Sequence, residues 1–269
     1  MMTRNMDTSL ASLINLHGKI AIVTGGAMGI GYGIAARLAE AGASVAIADR
    51  NANEAQASAE KLNAKGYSAA AFAVDVSDEA SVQQMIEQVI AKWESVDILV
   101  NNAGIYPNVT LAQMTSADFD KVIAVNLRGV FLCTKYVSER MIARGDGGKI
   151  INITSIDSVH PSSIGLAHYD ATKHGVWGFT KNVALELAPH HIWVNTVAPG
   201  GIRTPGGAGG KTAEEIANDP AFAPFLKKIP MARMGEPDDI GRAVFFLASD
   251  LSSYMTGTQI VVDGGYLLA

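Results

Sequence analysis

Seven short runs rich in Val, Ile and Ala recur along the 269 residues, separated by longer segments of helical periodicity, and this alternation permits few architectures. The runs fall at 20–24, 44–48, 70–74, 98–101, 149–154, 193–197 and 259–262, with helices expected near 30–41, 52–65, 78–93, 116–143, 166–188 and 237–249. Strands apolar along their whole length need cover on both faces. Crossovers of helical length then give right-handed β-α-β units. The expected fold is α/β, a doubly wound, seven-stranded parallel sheet in three α/β/α layers. Asp78 is placed to cap one helix, and Ser116 or Asp118 another.

Alternating folds of about 250 residues form one domain, so residues 17–269 are expected to be a single domain and 1–16 a flexible N-terminal extension. Residues 201–228 open with a glycine-rich stretch, Gly201 to Gly210, and are expected to form a mobile substrate loop whose first ten residues hold no regular structure. A net charge of −5 and no Lys/Arg cluster argue against nucleic acid or an anionic membrane as partner, leaving a small molecule. The sole cysteine, Cys133, sits in the apolar run 130–133 and reads as a core thiol; no metal site is expected. The apolar stretch 10–14 is too short for a secretory or membrane-spanning segment, so a cytoplasmic location is expected.

Between the first strand and first helix lies Thr24-Gly25-Gly26-Ala27-Met28-Gly29-Ile30-Gly31. Glycines there let the backbone turn sharply and approach a pyrophosphate at the helix N-terminus. Asp49, about 20 residues on, ends the second strand, where a carboxylate accepts from ribose hydroxyls and repels a 2′-phosphate. NAD is therefore expected over NADP, although the neighbouring Arg50 is a guanidinium able to swing toward such a phosphate. Asp75-Val76 and Asn101-Asn102-Ala103-Gly104 follow the third and fourth strands, at the sheet edge where such folds bind ligands, and Asp75 is placed to accept from an adenine amino group.

Tyr169 and Lys173, four residues apart, share one face of a helix. A phenol titrates near ~10, and a fixed cation beside it favours the phenolate, so the pair can move a proton near neutral pH. Ser155, at the end of the fifth strand, is a candidate hydroxyl partner. Taken singly, Ser155 also reads as a turn hydroxyl, Asn126 as a satisfied core polar group and Lys173 as a solvated helix residue.

Together, Thr24-Gly-x-x-x-Gly-x-Gly31, Asp75, Asn101-Asn-Ala-Gly104, Asn126, Ser155, Tyr169-x-x-x-Lys173 and Pro199-Gly200 resemble the short-chain dehydrogenase/reductase family, in its single-domain NAD(P)-dependent branch, from about Lys19 to the end. The resemblance implies a Rossmann-like fold and a tetrad of Asn126, Ser155, Tyr169 and Lys173. In it Tyr169 is the acid/base, Lys173 lowers its pKa and holds the nicotinamide ribose, Ser155 hydrogen-bonds the reacting oxygen, and Asn126 binds a water linking Lys173 to solvent. It also implies that Ile202 and Thr204, after Pro199-Gly200, contact the nicotinamide carboxamide. A homotetramer is implied too, pairing long helices and C-terminal strands, with 257–265 matching the latter element.

Tyr106, Asn108, Asp157, His160 and His168 are expected to face the substrate, and hydrogen-bonding walls suit an oxygen-rich ligand. The expected activity is NAD-dependent interconversion of a secondary alcohol and ketone on a small polar polyol, sugar-like or cyclic molecule. An alternative is an NADP-dependent 3-oxoacyl-carrier-protein reductase. Asp49 opposes its cofactor, and Leu185 stands where such reductases often place an arginine, although Arg128 and Lys135 offer some positive surface. A non-catalytic dinucleotide sensor or scaffold is the reading from another class.

Overall fold

The computed structural model describes residues 9–269. Its seven strands are β1 (Ile20–Thr24), β2 (Ser44–Asp49), β3 (Ala69–Ala73), β4 (Ile98–Asn101), β5 (Gly148–Ile153), β6 (Ile192–Pro199) and β7 (Gln259–Val262). They form one parallel sheet in the order β3-β2-β1-β4-β5-β6-β7. Strand order reverses between β1 and β4, which opens a crevice at their C-terminal ends.

The eleven α-helices described are α1 (Leu10–Leu13), α2 (Gly29–Glu40), α3 (Ala52–Asn63), α4 (Glu79–Trp93), α5 (Ser116–Ile123), α6 (Gly129–Arg144), α7 (Ala167–Leu187), α8 (Pro205–Ala208), α9 (Ala213–Asn218), α10 (Ala223–Leu226) and α11 (Pro237–Ala248). Successive strand residues face opposite ways, so β1 divides between two cores. Ala21 and Val23 pack with Leu38 of α2, Leu62 of α3 and Val244 of α11. Ile20 and Ile22 join Met85 of α4, Leu132 and Cys133 of α6 and Leu187 of α7. Cys133 is fully buried, and burial pushes its thiol up to about 12, which leaves it unreactive. No helix among the described residues is long and apolar enough to cross a membrane.

Four expectations need correction. Residues 1–8 of the expected flexible extension lie outside the described residues, but 9–16 are tied down. Ser9 caps α1, and Leu16 is buried with its N–H on the Ala41 carbonyl. Second, the glycine-rich stretch does hold a helical turn, because Thr204 caps α8 through the Gly207 amide at 3.0 Å. Third, the expected helix 116–143 is broken by a π-helical turn, Ala124–Arg128. Finally, Thr115 caps α5, with Asp118 as its reciprocal partner three residues in; Asp78 caps α4 as expected.

A buried polar chain holds the C-terminal end of the sheet to its helices. Asn101 of β4 donates to Thr134 of α6 at 3.0 Å and to Asn152 of β5 at 2.8 Å, and Asn152 donates to Thr180 of α7 at 2.8 Å. Every member is satisfied, so the chain fixes register at little cost. Asn152→Ala strands two buried groups and is expected to lower the unfolding free energy by roughly 2–3 kcal/mol in denaturant titrations; a loss within error of zero would show that the chain does not hold these layers together.

Candidate active site

The turn after β1 is shaped to take a phosphate against backbone. Gly25 sits at φ 61°, and a Cβ on Gly31 would stand 2.0 Å from the Gly25 carbonyl oxygen, so no side chain fits there. Met28, the residue before α2, supplies no side-chain cap, which leaves the first amides of that helix with donors for an anion. Asn102 clamps the turn from β4, its Nδ2 donating to the Thr24 and Gly25 carbonyls at 3.0 Å each. The Thr24 hydroxyl accepts from the Asn102 amide at 3.1 Å.

Asp49 serves the turn as well as the cleft, its carboxylate accepting from the Ala27 amide at 3.1 Å and the Asn51 amide at 3.0 Å. That pins the carboxylate on the wall of the cleft. Asp75 accepts from the Ser77 hydroxyl at 2.6 Å and the Ser77 amide at 2.9 Å, and the hydroxyl bond above all holds it below the usual carboxylate range, with the Arg50 charge adding to the effect. Every cofactor position expected from the sequence, from Gly25 to Thr204, lines one cleft of ≈ 820 Å³ that also admits Ser155, Asp157 and Tyr106. A dinucleotide fits this donor set: amides for phosphates, Asp49 for a ribose, and Lys173 and Tyr169 at the far end.

At that end the helix and the strand are joined directly. Lys173 Nζ donates to the Ile153 carbonyl at the end of β5, at 2.8 Å, two residues before Ser155. Lys173 is buried, and burial brings its ammonium down to about 8 against the opposing pull of Asp157. Its Nζ lies 5.4 Å from the Tyr169 ring centroid. The phenol is nevertheless pushed up, first by burial and then by Asp157, Tyr106 and Asp170, with a Ser155 hydrogen bond opposing. Lys173 is not among the groups that shift the phenol here, and burial is the largest cause, acting to disfavour the phenolate.

Asn126 is in the π-helical turn, and both ends of its amide are engaged. Its Oδ1 accepts from the Ile105 amide and its Nδ2 donates to the Ile105 carbonyl, both at 2.8 Å, with a third bond to Thr172 at 3.3 Å. The side chain therefore pins the loop carrying Tyr106.

The expected substrate readers largely turn away. His168 is fully buried and does not reach the cleft, and His160 is exposed outside it. Asn108 donates to the Ile164 carbonyl at 2.7 Å, bracing one loop on another. Asp157 is buried beneath Ser155 and hydrogen-bonded to it. Tyr106 and Asp157 keep their expected places on the cleft, Tyr106 edge-on to Tyr169 with centroids 6.0 Å apart. Leu166, Phe222, Phe225 and Met234 were missed, and they give the cleft an apolar wall. The two aromatic residues in an otherwise glycine- and charge-rich segment were their only signal; Phe225 covers Gly201, where a Cβ would meet its ring at 2.3 Å.

A family model described as Enoyl-(Acyl carrier protein) reductase matches residues 25–267. The 3-oxoacyl-[acyl-carrier-protein] reductase FabG of Aquifex aeolicus (strain VF5) is 39% identical over 253 residues, spanning 94% of this chain and 98% of that protein. A short-chain type dehydrogenase/reductase from Mycobacterium marinum matches in structure with a TM-score of 0.89 at 37% identity, over 97% of this chain and 100% of that one. The 3-ketoacyl-(acyl-carrier-protein) reductase from Brucella melitensis, solved with NADH, matches at 0.84 and 37%, over 94% and 99%. The small polar alcohol expected as substrate is thereby corrected: near full-length relatives are carrier-protein reductases, and of the polar residues behind that expectation Asn108, His160 and His168 do not line the cleft. With its glycine turn, its Ser155, Tyr169 and Lys173 cluster and these relatives in one register, the chain belongs to the short-chain dehydrogenase/reductase family of NAD(P)-dependent oxidoreductases.

Proposed function

We propose that the protein reduces the ketone of a 3-oxoacyl thioester to the 3-hydroxyacyl thioester, using NADH. The observation that carries this reading is the likeness to the Aquifex aeolicus reductase over 98% of that protein's length. Two features of the cleft agree. Its wall of Leu166, Phe222, Phe225 and Met234 suits an acyl chain, whose burial yields about 0.8 kcal/mol per methylene. A phenol that holds its proton is also the form needed to protonate a ketone.

The cleft residues from Gly25 to Thr204 would hold NADH, which when bound would supply the hydride for the carbonyl carbon. Tyr169 gives its phenol proton to the carbonyl oxygen as negative charge gathers there. Lys173, fixed by the Ile153 carbonyl, is the positive charge nearest the phenolate that remains and lowers its energy. Ser155 stands beside Tyr169 at the end of β5, and Asn126 steadies Tyr106 opposite through Ile105. NADH over NADPH is supported by the fixed Asp49 carboxylate and by a glycine turn without a basic side chain.

The test is consumption of NADH and NADPH with 3-oxobutyryl thioesters of a carrier protein and of coenzyme A. Thioester reduction with NADH favoured by roughly tenfold is expected, and Asp49→Ala should bring that ratio toward one. No reduction of either thioester would refute the reading.

The buried ammonium of Lys173 has a consequence for stability. An unfolded lysine titrates near ~10.4, whereas the folded one is brought to about 8, so between these values the unfolded chain holds more protons and this group's contribution to stability rises with pH. At pH 7 the charge destabilises the fold by something on the order of 3 kcal/mol. Lys173→Met is therefore expected to be inactive yet melt higher than wild type at pH 7, with the gap closing toward pH 10. A variant that melts lower at pH 7 would contradict the assigned penalty.

A further inference from the structure

What excludes a side chain from Gly201 is a ring, not the backbone. The backbone there is not left-handed, yet a Cβ on Gly201 would stand 2.3 Å and 2.5 Å from two carbons of the Phe225 ring. The third nearest atom, at 3.7 Å, belongs to the same ring, so nothing else crowds the position. Glycine and ring are complementary: one leaves a bare stretch of backbone and the other is laid on it.

The ring is also backed by Tyr266, with centroids 5.6 Å apart and planes tilted by 35°. Tyr266 is buried in the 3₁₀ turn Tyr266–Leu268. Asp263 holds that turn, its carboxylate accepting from the Gly265 amide at 2.8 Å and the Leu267 amide at 2.9 Å. Tyr266, Ile156 and Ile229 form a small core on which Phe225 rests. The single turn of α10 is too short to hold the ring by itself, so its place is set by these distant parts of the chain.

This seat adjoins the proton-transfer end of the cleft. Ile156 is the residue after Ser155, and Phe225 and Gly201 line the same cleft as Ser155 and Tyr169. Resting on the function proposed above, we propose that Phe225, seated on Gly201 and backed by Tyr266, is a specificity-determining residue that limits the substrate to short 3-oxoacyl chains, of roughly four to six carbons. A chain running from the reacting ketone along the apolar wall meets the ring within its first carbons. A ring packed in this way does not swing aside without giving up its contacts.

The test is kcat/KM across the 3-oxobutyryl, 3-oxohexanoyl, 3-oxooctanoyl and 3-oxodecanoyl thioesters of coenzyme A. The wild-type value is expected to fall by at least about tenfold beyond 3-oxohexanoyl, where added methylenes press on the ring. Phe225→Ala should raise the ratio of the 3-oxodecanoyl to the 3-oxobutyryl value by at least ~10-fold, since each methylene that gains cover is worth roughly fourfold. Tyr266→Leu, which removes the backing and leaves the ring, should move that ratio the same way by less. A wild-type value that keeps rising to 3-oxodecanoyl, or a ratio unchanged in F225A, would overturn the proposal.

Two further readouts need no turnover. Gly201→Ala should lower the melting temperature of the wild type but cause no further loss in the F225A background, because the atoms that crowd the new Cβ are then gone. Equal losses in the two backgrounds would remove the seat on which the proposal stands. In titrations of the NADH-loaded protein, F225A should improve the affinity for decanoyl-coenzyme A relative to butyryl-coenzyme A by at least ~10-fold. If wild type reduces no thioester, the function proposed above fails, and this affinity ratio alone then decides for or against Phe225, an unchanged ratio deciding against it.

Discussion

The bond from Lys173 Nζ to the Ile153 carbonyl is the interaction on which the site depends. It crosses from α7 to the end of β5, and so fixes the distance between the helix bearing Tyr169 and the strand leading to Ser155. The ammonium is bought out of water at a price that burial alone makes plain, since its titration falls to about 8. A group held so unfavourably needs a function to keep it, and neutralising a transient phenolate is one. The Asn101, Asn152 and Thr180 chain runs parallel to it one layer deeper and stops β5 and α7 from slipping.

The cofactor end is built on a different economy of atoms. The turn after β1 has no room for a side chain at Gly31, and Asn102 and Asp49 hold it from the two neighbouring strands. Both holders stand at C-terminal strand ends because a parallel sheet presents all those ends on one edge. The reversal of strand order around β1 then opens the crevice between them. Cofactor end and proton-transfer end are thus two stretches of one sheet edge.

Much of this was legible in the residues. Apolar runs such as 20–24 and 98–101 coincide with strands because central strands of a parallel sheet are buried on both faces, and their boundaries need no tertiary information. The glycine turn, Asp49, Ser155, Tyr169 and Lys173 were legible for a similar reason, since local spacing and strand ends dictate where they stand. Side-chain direction was not. His168 precedes Tyr169 by one residue, and on a helix that is a rotation of about 100°, enough to bury it against the fold while Tyr169 faces the cleft. Asp157 lines the cleft as expected, but its bond to Ser155 depends on a 3₁₀ turn that spacing does not announce. The same blindness produced the polar-substrate expectation, and the apolar wall comes from residues 166 and 222–234, which fold over the site from distant parts of the chain. The π-helical turn around Asn126 is likewise set by packing, with Gly129 so close to Val76 that a Cβ would lie 2.9 Å away.

The central claim is that Tyr169 delivers the proton in ketone reduction at a site whose cofactor end does not depend on it. Single-turnover mixing of an NADH-loaded Tyr169→Phe variant with a 3-oxobutyryl thioester tests this most directly. The account predicts NADH affinity within about twofold of wild type and a hydride-transfer rate reduced by at least ~10²-fold. A variant that transfers hydride at the wild-type rate would remove Tyr169 from the chemistry and contradict the account.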